Sequence, residues 1–240
     1  MSSLSLPGLP GELTWINTAT SWKEENGGLQ IVAPGKTDLF VDPAGGMVKD
    51  DSPRAVFVPD PQFTLSAHVT VDFAATYDAG VLVLCADGLH WAKLCFEYSP
   101  QGEPMIVSVV TNGVSDDCNS VPLARNDIYL RVTRLGEAFA FHYSEDGKYW
   151  RLVRHFALHQ STNLRAGFSS QSPTGNGCRA AFAEIQYRPE PVKNLRSGEM
   201  FRLGAQDIGQ PNILCTEPGA FVDTTISFTC FTGISRTRRR

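Results

Sequence analysis

Apolar and polar residues alternate with a period of two along most of this chain, and helical spacing is nearly absent. The clearest stretch is 63–73. Leu65, Ala67, Val69, Val71 and Phe73 share one side, while Ser66, His68, Thr70 and Asp72 share the other, the pattern of a strand buried on one face. Residues 81–85 are apolar on both sides, which predicts a central strand. Shorter strands are predicted at 29–33 and 38–41 around the turn PGK, and at 91–98 and 105–111 around the loop SPQGEP. Residues 127–135 and 137–143 read as a hairpin through Gly136. The segment 150–155 joins it through SEDGK, where Asp146-Gly147 supplies tight-turn chemistry. Segments 164–170 and 179–187 complete about eleven strands. Many short strands at regular spacing point to a sandwich, jelly roll or barrel. An all-β jelly-roll sandwich of two antiparallel sheets, with one concave face, fits best. After the breaker RPEP the rhythm weakens, so the expected organisation is one domain over 1–196 and an irregular, poorly ordered extension over 197–240. Within that extension, 221–231 could add one edge strand.

Composition narrows the class. The chain has 240 residues, 42% hydrophobic and 19% charged, enough to bury a core and unlike a disordered polymer. The net charge is −4 and the body carries no basic stripe, so nucleic acid is not an expected partner. The terminal Arg236, Arg238, Arg239 and Arg240 read as a solvated tail. The opening MSSLSLPGLPGELTW lacks a secretory pattern, and there is no apolar run of about 18 residues, so no membrane segment is expected. A cytoplasmic protein with reduced thiols follows as an expectation. Cys85, Cys95, Cys118, Cys178, Cys215 and Cys230 show neither CxxC nor Cys–His zinc spacing and read as apolar fillers. No cofactor or metal is expected.

The candidate chemistry centres on the strand HWAKLCFEY. Period-two geometry puts Trp91, Lys93, Cys95 and Glu97 on one face, and Ala92, Leu94, Phe96 and Tyr98 towards the core. Lys93 and Glu97 lie about 13 Å apart along a strand, so each needs a partner from a neighbouring strand. On 106–112 the matching polar face is assigned to Ser108 and Asn112, and His68, Arg131 and His142 are expected to join from other strands. Such a face could hold a carbohydrate or phosphorylated metabolite. Trp91 would stack on the ligand, Glu97 and Asn112 would bond hydroxyls, and Lys93 and Arg131 would attract acidic groups. The plainer alternative is a solvated sheet face. Glycoside hydrolysis needs two carboxyl groups about 5–9 Å apart. Glu97 is the only acid on its strand, no E-x-D-x-x-E occurs, and Asp116 and Asp117 are expected in a loop. If the protein is an enzyme, Glu97 is the general acid or base with Lys93 setting its pKa, and a pairing of Glu97 in space with Asp72 or Asp116 stays open. No G-x-S-x-G supports a serine nucleophile. SEDGKYW reads as a structural turn with Trp150 in the core, and a structural calcium on Asp116 or Asp117 stays open.

HWAKLCFEY, followed by SVVTNGVSD at 108–116, resembles the DUF1349 or regulation-of-enolase-protein-1-like family of the concanavalin A-like lectin/glucanase superfamily. The family pattern is W-x-K-x-G-x-E-Y, then S-V-V-T-x-x-x-S-D-W. YLRVTRLGEAFAFHYSEDGKYWRLVRHF at 129–156 and the opening LPGELTWIN also fit, so the resemblance covers about residues 6–190. Two positions depart from it. Cys95 replaces the strand glycine, and Asp117 replaces the tryptophan after Ser115-Asp116. If that tryptophan is a sugar-stacking platform in relatives, this chain has lost it. The resemblance implies the concanavalin A-like fold. It implies little mechanism, and with the residues above the first reading is a non-enzymatic binding or regulatory protein of carbohydrate metabolism, with two alternatives: an enzyme acting on a sugar or small metabolite through Glu97, or an interaction module acting on a glycolytic enzyme.

Overall fold

The structure, a computed structural model, describes residues 4–198. These belong to a compact unit, Met1–Phe201. The expected extension over 197–240 lies, apart from Ser197 and Gly198, outside the described residues, as do Cys215, Cys230, the edge strand at 221–231 and the arginine tail.

The described residues form sixteen strands and one short 3-10 turn, Ser161–Asn163. In chain order the strands are β1 Thr14–Ile16, β2 Ser21–Glu25, β3 Gly28–Pro34, β4 Leu39–Val41, β5 Val48–Asp50, β6 Arg54–Phe57, β7 Phe63–Asp72 and β8 Ala79–Cys85. There follow β9 His90–Tyr98, β10 Pro104–Asn112, β11 Val114–Pro122, β12 Asp127–Leu135, β13 Ala138–Ser144, β14 Arg151–Ala157, β15 Arg165–Gln171 and β16 Gly177–Arg188. One sheet runs β1-β6-β15-β8-β9-β10-β11 and the other β14-β13-β12-β7-β16-β3-β2. Every pairing is antiparallel. This is the expected jelly-roll sandwich. No helix among the described residues is long and apolar enough to cross a membrane.

The inner faces bury one core. Leu82, Leu84, Ala92, Leu94, Phe96, Ile106 and Val110 of the first sheet meet Leu65, Ala67, Val69, Val71, Leu130, Val132, Phe139 and Phe141 of the second. The sheets approach so closely at Gly80 that a Cβ there would lie 2.6 Å from Val69 and 2.9 Å from Val71. A second apolar cluster lies on the outer face of the first sheet. Val81, Val83, Trp91, Cys95, Val107 and Val109 pack there against Leu39 and Val41. Those two residues belong to the hairpin β4–β5, a separate two-stranded sheet that lies over the first.

The strands absent from the sequence-based reading have physical reasons. β11 is an edge strand with little buried side chain, VSDDCNSVP, so it shows no alternation; Asp116 and Asp117 lie on it rather than in a loop. β1, β2 and β5 are short and largely exposed, and β6 is four residues long and buried on both faces, so it shows no alternation either.

Candidate functional site

β9 presents its residues as the alternation requires. Ala92, Leu94 and Phe96 enter the main core, and Trp91 and Cys95 enter the outer cluster with Lys93 and Glu97 between them. None of the four is open to solvent. Lys93 is 3% exposed, and its ammonium donates to Asp38 Oδ1 at 3.0 Å and to Gln171 Oε1 at 3.0 Å. Gln171 Nε2 in turn donates to Glu97 Oε2 at 3.4 Å and to the Tyr77 carbonyl at 3.3 Å. Gln171 is therefore the bridge that links two residues too far apart to touch. Burial pushes the Glu97 carboxyl up to about 8, with Lys93 pulling the other way and Asp38 and Asp117 adding to the rise. Burial also works against the Lys93 charge, but the neighbouring acids outweigh it and raise its pKa. At neutral pH the set is a charged Lys93–Asp38 pair beside a protonated Glu97.

The hairpin creates this environment. Asp38 stands at its entrance and accepts from the Leu39 amide at 2.7 Å while holding Lys93. On the far side the Val41 amide donates to Ser115 Oγ at 2.9 Å, tying the hairpin to β11. Trp91 is buried among the outer cluster with its indole Nε1 unpartnered, so it offers no stacking surface.

The other candidates lie elsewhere. Asn112 and Ser108 do not share the Lys93 face. The register pairs Thr111 with Trp91 and Val109 with Lys93, so the odd residues of β10 face outwards. Ser108 pairs with Leu94 and is buried, and Asn112 ends the strand, where its Oδ1 accepts from the His159 amide at 3.0 Å. His68, Arg131 and His142 belong to β7, β12 and β13, on the opposite sheet. His68 stacks on Tyr129 with ring centres 4.3 Å apart, and its Nε2 meets Asp127 at 2.8 Å. Arg131 pairs with His142 in register, and its guanidinium lies 4.3 Å from the centre of the Trp150 ring. Trp150 is buried as expected, although against Arg131 rather than within the main cluster between the sheets. The chain at 190–198 covers this group. Thr64 donates to the Glu190 carbonyl, the Val192 amide donates to Thr133, and His142 Nε2 donates to the Leu195 carbonyl. Burial, then Arg131, lowers the His142 pKa to about 3, and burial lowers that of Arg131 to about 9.

The expected single face therefore resolves into two buried groups on opposite sheets. Asp38 and Gln171, which complete the first, were not singled out by the sequence. Asp38 looked like a strand-opening turn residue, and Gln171 lies 78 residues from Lys93. No cluster of three or more potential metal ligands occurs among the described residues. Asp146 accepts from the Lys148 and Tyr149 amides at 2.8 and 2.9 Å, so its turn is held by its own backbone. The four described cysteines are free.

A family model described as a protein of unknown function, DUF1349, matches residues 15–190. This chain belongs to the DUF1349 family. Over 173 residues it is 31% identical to the Saccharomyces cerevisiae protein named Regulation of enolase protein 1, covering 71% of this chain and 86% of that one. The crystal structure of a functionally unknown Saccharomyces cerevisiae protein is similar with a TM-score of 0.70 at 28% identity, covering 75% of this chain and 97% of that one. The GH43 protein BlXynB of Bacillus licheniformis gives a TM-score of 0.59 at 15% identity. That match covers 72% of this chain and 36% of BlXynB, and at such identity it shows the fold alone. Within this DUF1349 chain the two departures from the family pattern fall on one face. Cys95 is fully buried under the hairpin, and Asp117 stands opposite Val109 on β11. Burial raises the Asp117 carboxyl, with Lys93 opposing.

Proposed function

We propose that this protein is a non-catalytic binding or regulatory protein of carbohydrate metabolism in the cytoplasm. Its ligand, a carbohydrate or phosphorylated metabolite, sits on the outer face of the first sheet where the hairpin leaves it uncovered. The observation that carries this reading is the state of Lys93 and Glu97. Lys93 is consumed by Asp38 and Gln171, and Glu97 is held protonated behind them. Acid–base turnover needs a group that can reach substrate and exchange its proton, and these two groups are spent on holding the face together. The name of the yeast relative supports a regulatory role, with enolase as the kind of metabolic enzyme such a protein would act on.

The test is calorimetric titration of the purified full chain against enolase, and separately against hexoses and hexose phosphates, alongside an assay for consumption of those sugars. Binding of enolase or of a sugar class without consumption is the expected result. Consumption of a sugar that Glu97→Gln abolishes while binding persists would replace this reading with the enzyme reading. That alternative rests on the same raised carboxyl, which suits a general acid. Absence of binding to all of them would sink both.

A further inference from the structure

The second sheet holds a charge that no other group in the described residues answers. On its outer face one row runs Gln186, Ser66, Arg131, His142 across β16, β7, β12 and β13, each residue opposite the next in register. Arg131 is 4% exposed, and among the described residues its guanidinium makes neither a hydrogen bond nor an ion pair. The close contact of its head group is the Trp150 ring, 4.3 Å from centre to guanidinium carbon. Burial alone acts on its pKa, lowering it to about 9, so the group stays charged at neutral pH with no carboxylate near enough to offset it. The acids nearest on this face are engaged elsewhere. Glu184 accepts from the Tyr129 hydroxyl at 3.1 Å, and Asp127 accepts from Arg125 at 2.6 Å and meets His68 at 2.8 Å. Native folds keep a buried cation when a counter-charge meets it, and here the chain supplies none.

The row is closed at one end and open at the other. His142 is 0% exposed with its Nε2 on the Leu195 carbonyl, and 190–198 runs over the neighbouring Thr64 and Thr133. Ser66 is half-buried and Gln186 is exposed, and neither side chain spends a hydrogen bond among the described residues. Of the Arg131 nitrogens, Nε is the one sealed without a partner, which leaves the Nη pair to meet the opening beside Ser66. Adjacent strands lie about 4.8 Å apart, so the Nη pair, the Ser66 hydroxyl and the Gln186 amide are within reach of one small molecule. Charge selects it. A single buried cation is matched by a monoanion, and the two oxygens of a carboxylate fit a guanidinium fork. A phosphate dianion would carry surplus charge into the same sparsely hydrated place. Gln186 both donates and accepts, which suits a hydroxyl beside that carboxylate.

We propose that this shelf binds a small hydroxy acid, its carboxylate on Arg131 and Ser66 and its hydroxyl on Gln186. The site is separate from the ligand face of the first sheet, and either can fail without the other.

The experiment is isothermal titration of the full chain with lactate, gluconate, lactamide and inorganic phosphate at fixed ionic strength. Lactate or gluconate should bind about ten-fold more tightly than phosphate and than lactamide, which keeps the shape of lactate without its charge. Arg131→Met keeps the bulk of the side chain and should weaken hydroxy-acid binding about ten-fold. Its thermal midpoint should stay at or above that of the wild type, because the substitution removes an unanswered buried charge. An arginine with a purely structural role would give the reverse, a lower midpoint with binding unchanged, and that result would overturn the proposal. Ser66→Ala, at a half-buried position whose hydroxyl serves no other group, should weaken binding several-fold. It decides alone if Arg131→Met does not fold, and unchanged binding in it would overturn the site. No binding of either hydroxy acid would do the same. Lactamide binding as tightly as lactate would overturn the carboxylate, and phosphate doing so would overturn the selectivity for a monoanion. Loss of enolase or hexose binding in Arg131→Met would overturn the separation of the two sites.

Discussion

Glu97 carries its carboxyl into a place where burial outweighs the pull of Lys93, and this fixes a pH dependence with a definite sign. In the unfolded chain the group loses its proton near the usual 4.5, while in the folded protein it holds it to about 8. The folded state therefore binds more protons across that window, and stability falls as pH rises through it. His142 acts in the opposite sense over a lower range. Its folded value of about 3 lies below the ordinary 6.5, so its contribution is present above 6.5 and is lost as pH falls towards 3. Above 6.5 the His142 contribution is constant, and the slope belongs chiefly to Glu97. The thermal midpoint of the wild type should fall by several degrees between pH 6.5 and 8. Glu97→Gln, which keeps the shape and the acceptor for Gln171 but cannot ionise, should flatten that slope to less than half. Thermal melts of both proteins across this range decide the matter, and parallel slopes would show that the carboxyl is not held neutral.

The hairpin β4–β5 is the element that turns a sheet face into an interior. Its attachment is unequal at its two ends: an ion pair from Asp38 to Lys93 at one, a single amide-to-hydroxyl bond from Val41 to Ser115 at the other. Removing one partner of a buried pair strands the other, and the cost depends on which is stranded. Asp38→Ala leaves Lys93 buried with only Gln171 and should destabilise by about 3–5 kcal/mol. Lys93→Met fills the same space with an apolar chain and leaves Asp38 its Leu39 amide, so about 1–2 kcal/mol is expected. Urea denaturation of the two variants measures this, and equal costs would mean that the pair is not what pins the hairpin. The same element explains which parts of the site could be read in advance. The faces of β9 were legible because charged Lys93 and Glu97 alternate with Leu94 and Phe96. β10 was not, because the hairpin buries its outward Val107 and Val109 as fully as the core buries Ile106. With both faces largely apolar, the polar marks were Ser108, Thr111 and Asn112, and the two chosen, Ser108 and Asn112, pointed away from the Lys93 face while Thr111 stood on it. Period two also says nothing about which sheet a strand joins. That is why Arg131 and His142, on β12 and β13, were grouped with β9 although the sandwich separates them.

At the scale of the molecule, each outer face is covered by chain from outside its own sheet, the first by the hairpin and the second by 190–198. The second cover matters because it lies over a charge. Arg131 is 4% exposed, has no acidic partner among the described residues, and keeps its charge at neutral pH against the Trp150 ring. The cover supplies backbone groups to Thr64, Thr133 and His142, sets Val192 into the face, and receives the Trp150 amide at the Gly198 carbonyl. A chain ending at residue 188 would keep every strand and lose all of these contacts. One ending at 198 would keep them. Losing these hydrogen bonds and the burial of Val192 should leave the shorter chain the less stable, with a lower thermal midpoint than the chain that ends at 198. The shorter chain should also let acrylamide quench Trp150 while Trp91, held beneath the hairpin, stays protected. Equal stability with unequal quenching would mean that the cover shields Arg131 without stabilising the sandwich. Equal values of both would mean that 190–198 is a passive tail, and that the buried arginine owes its seclusion to β13 and Trp150 alone.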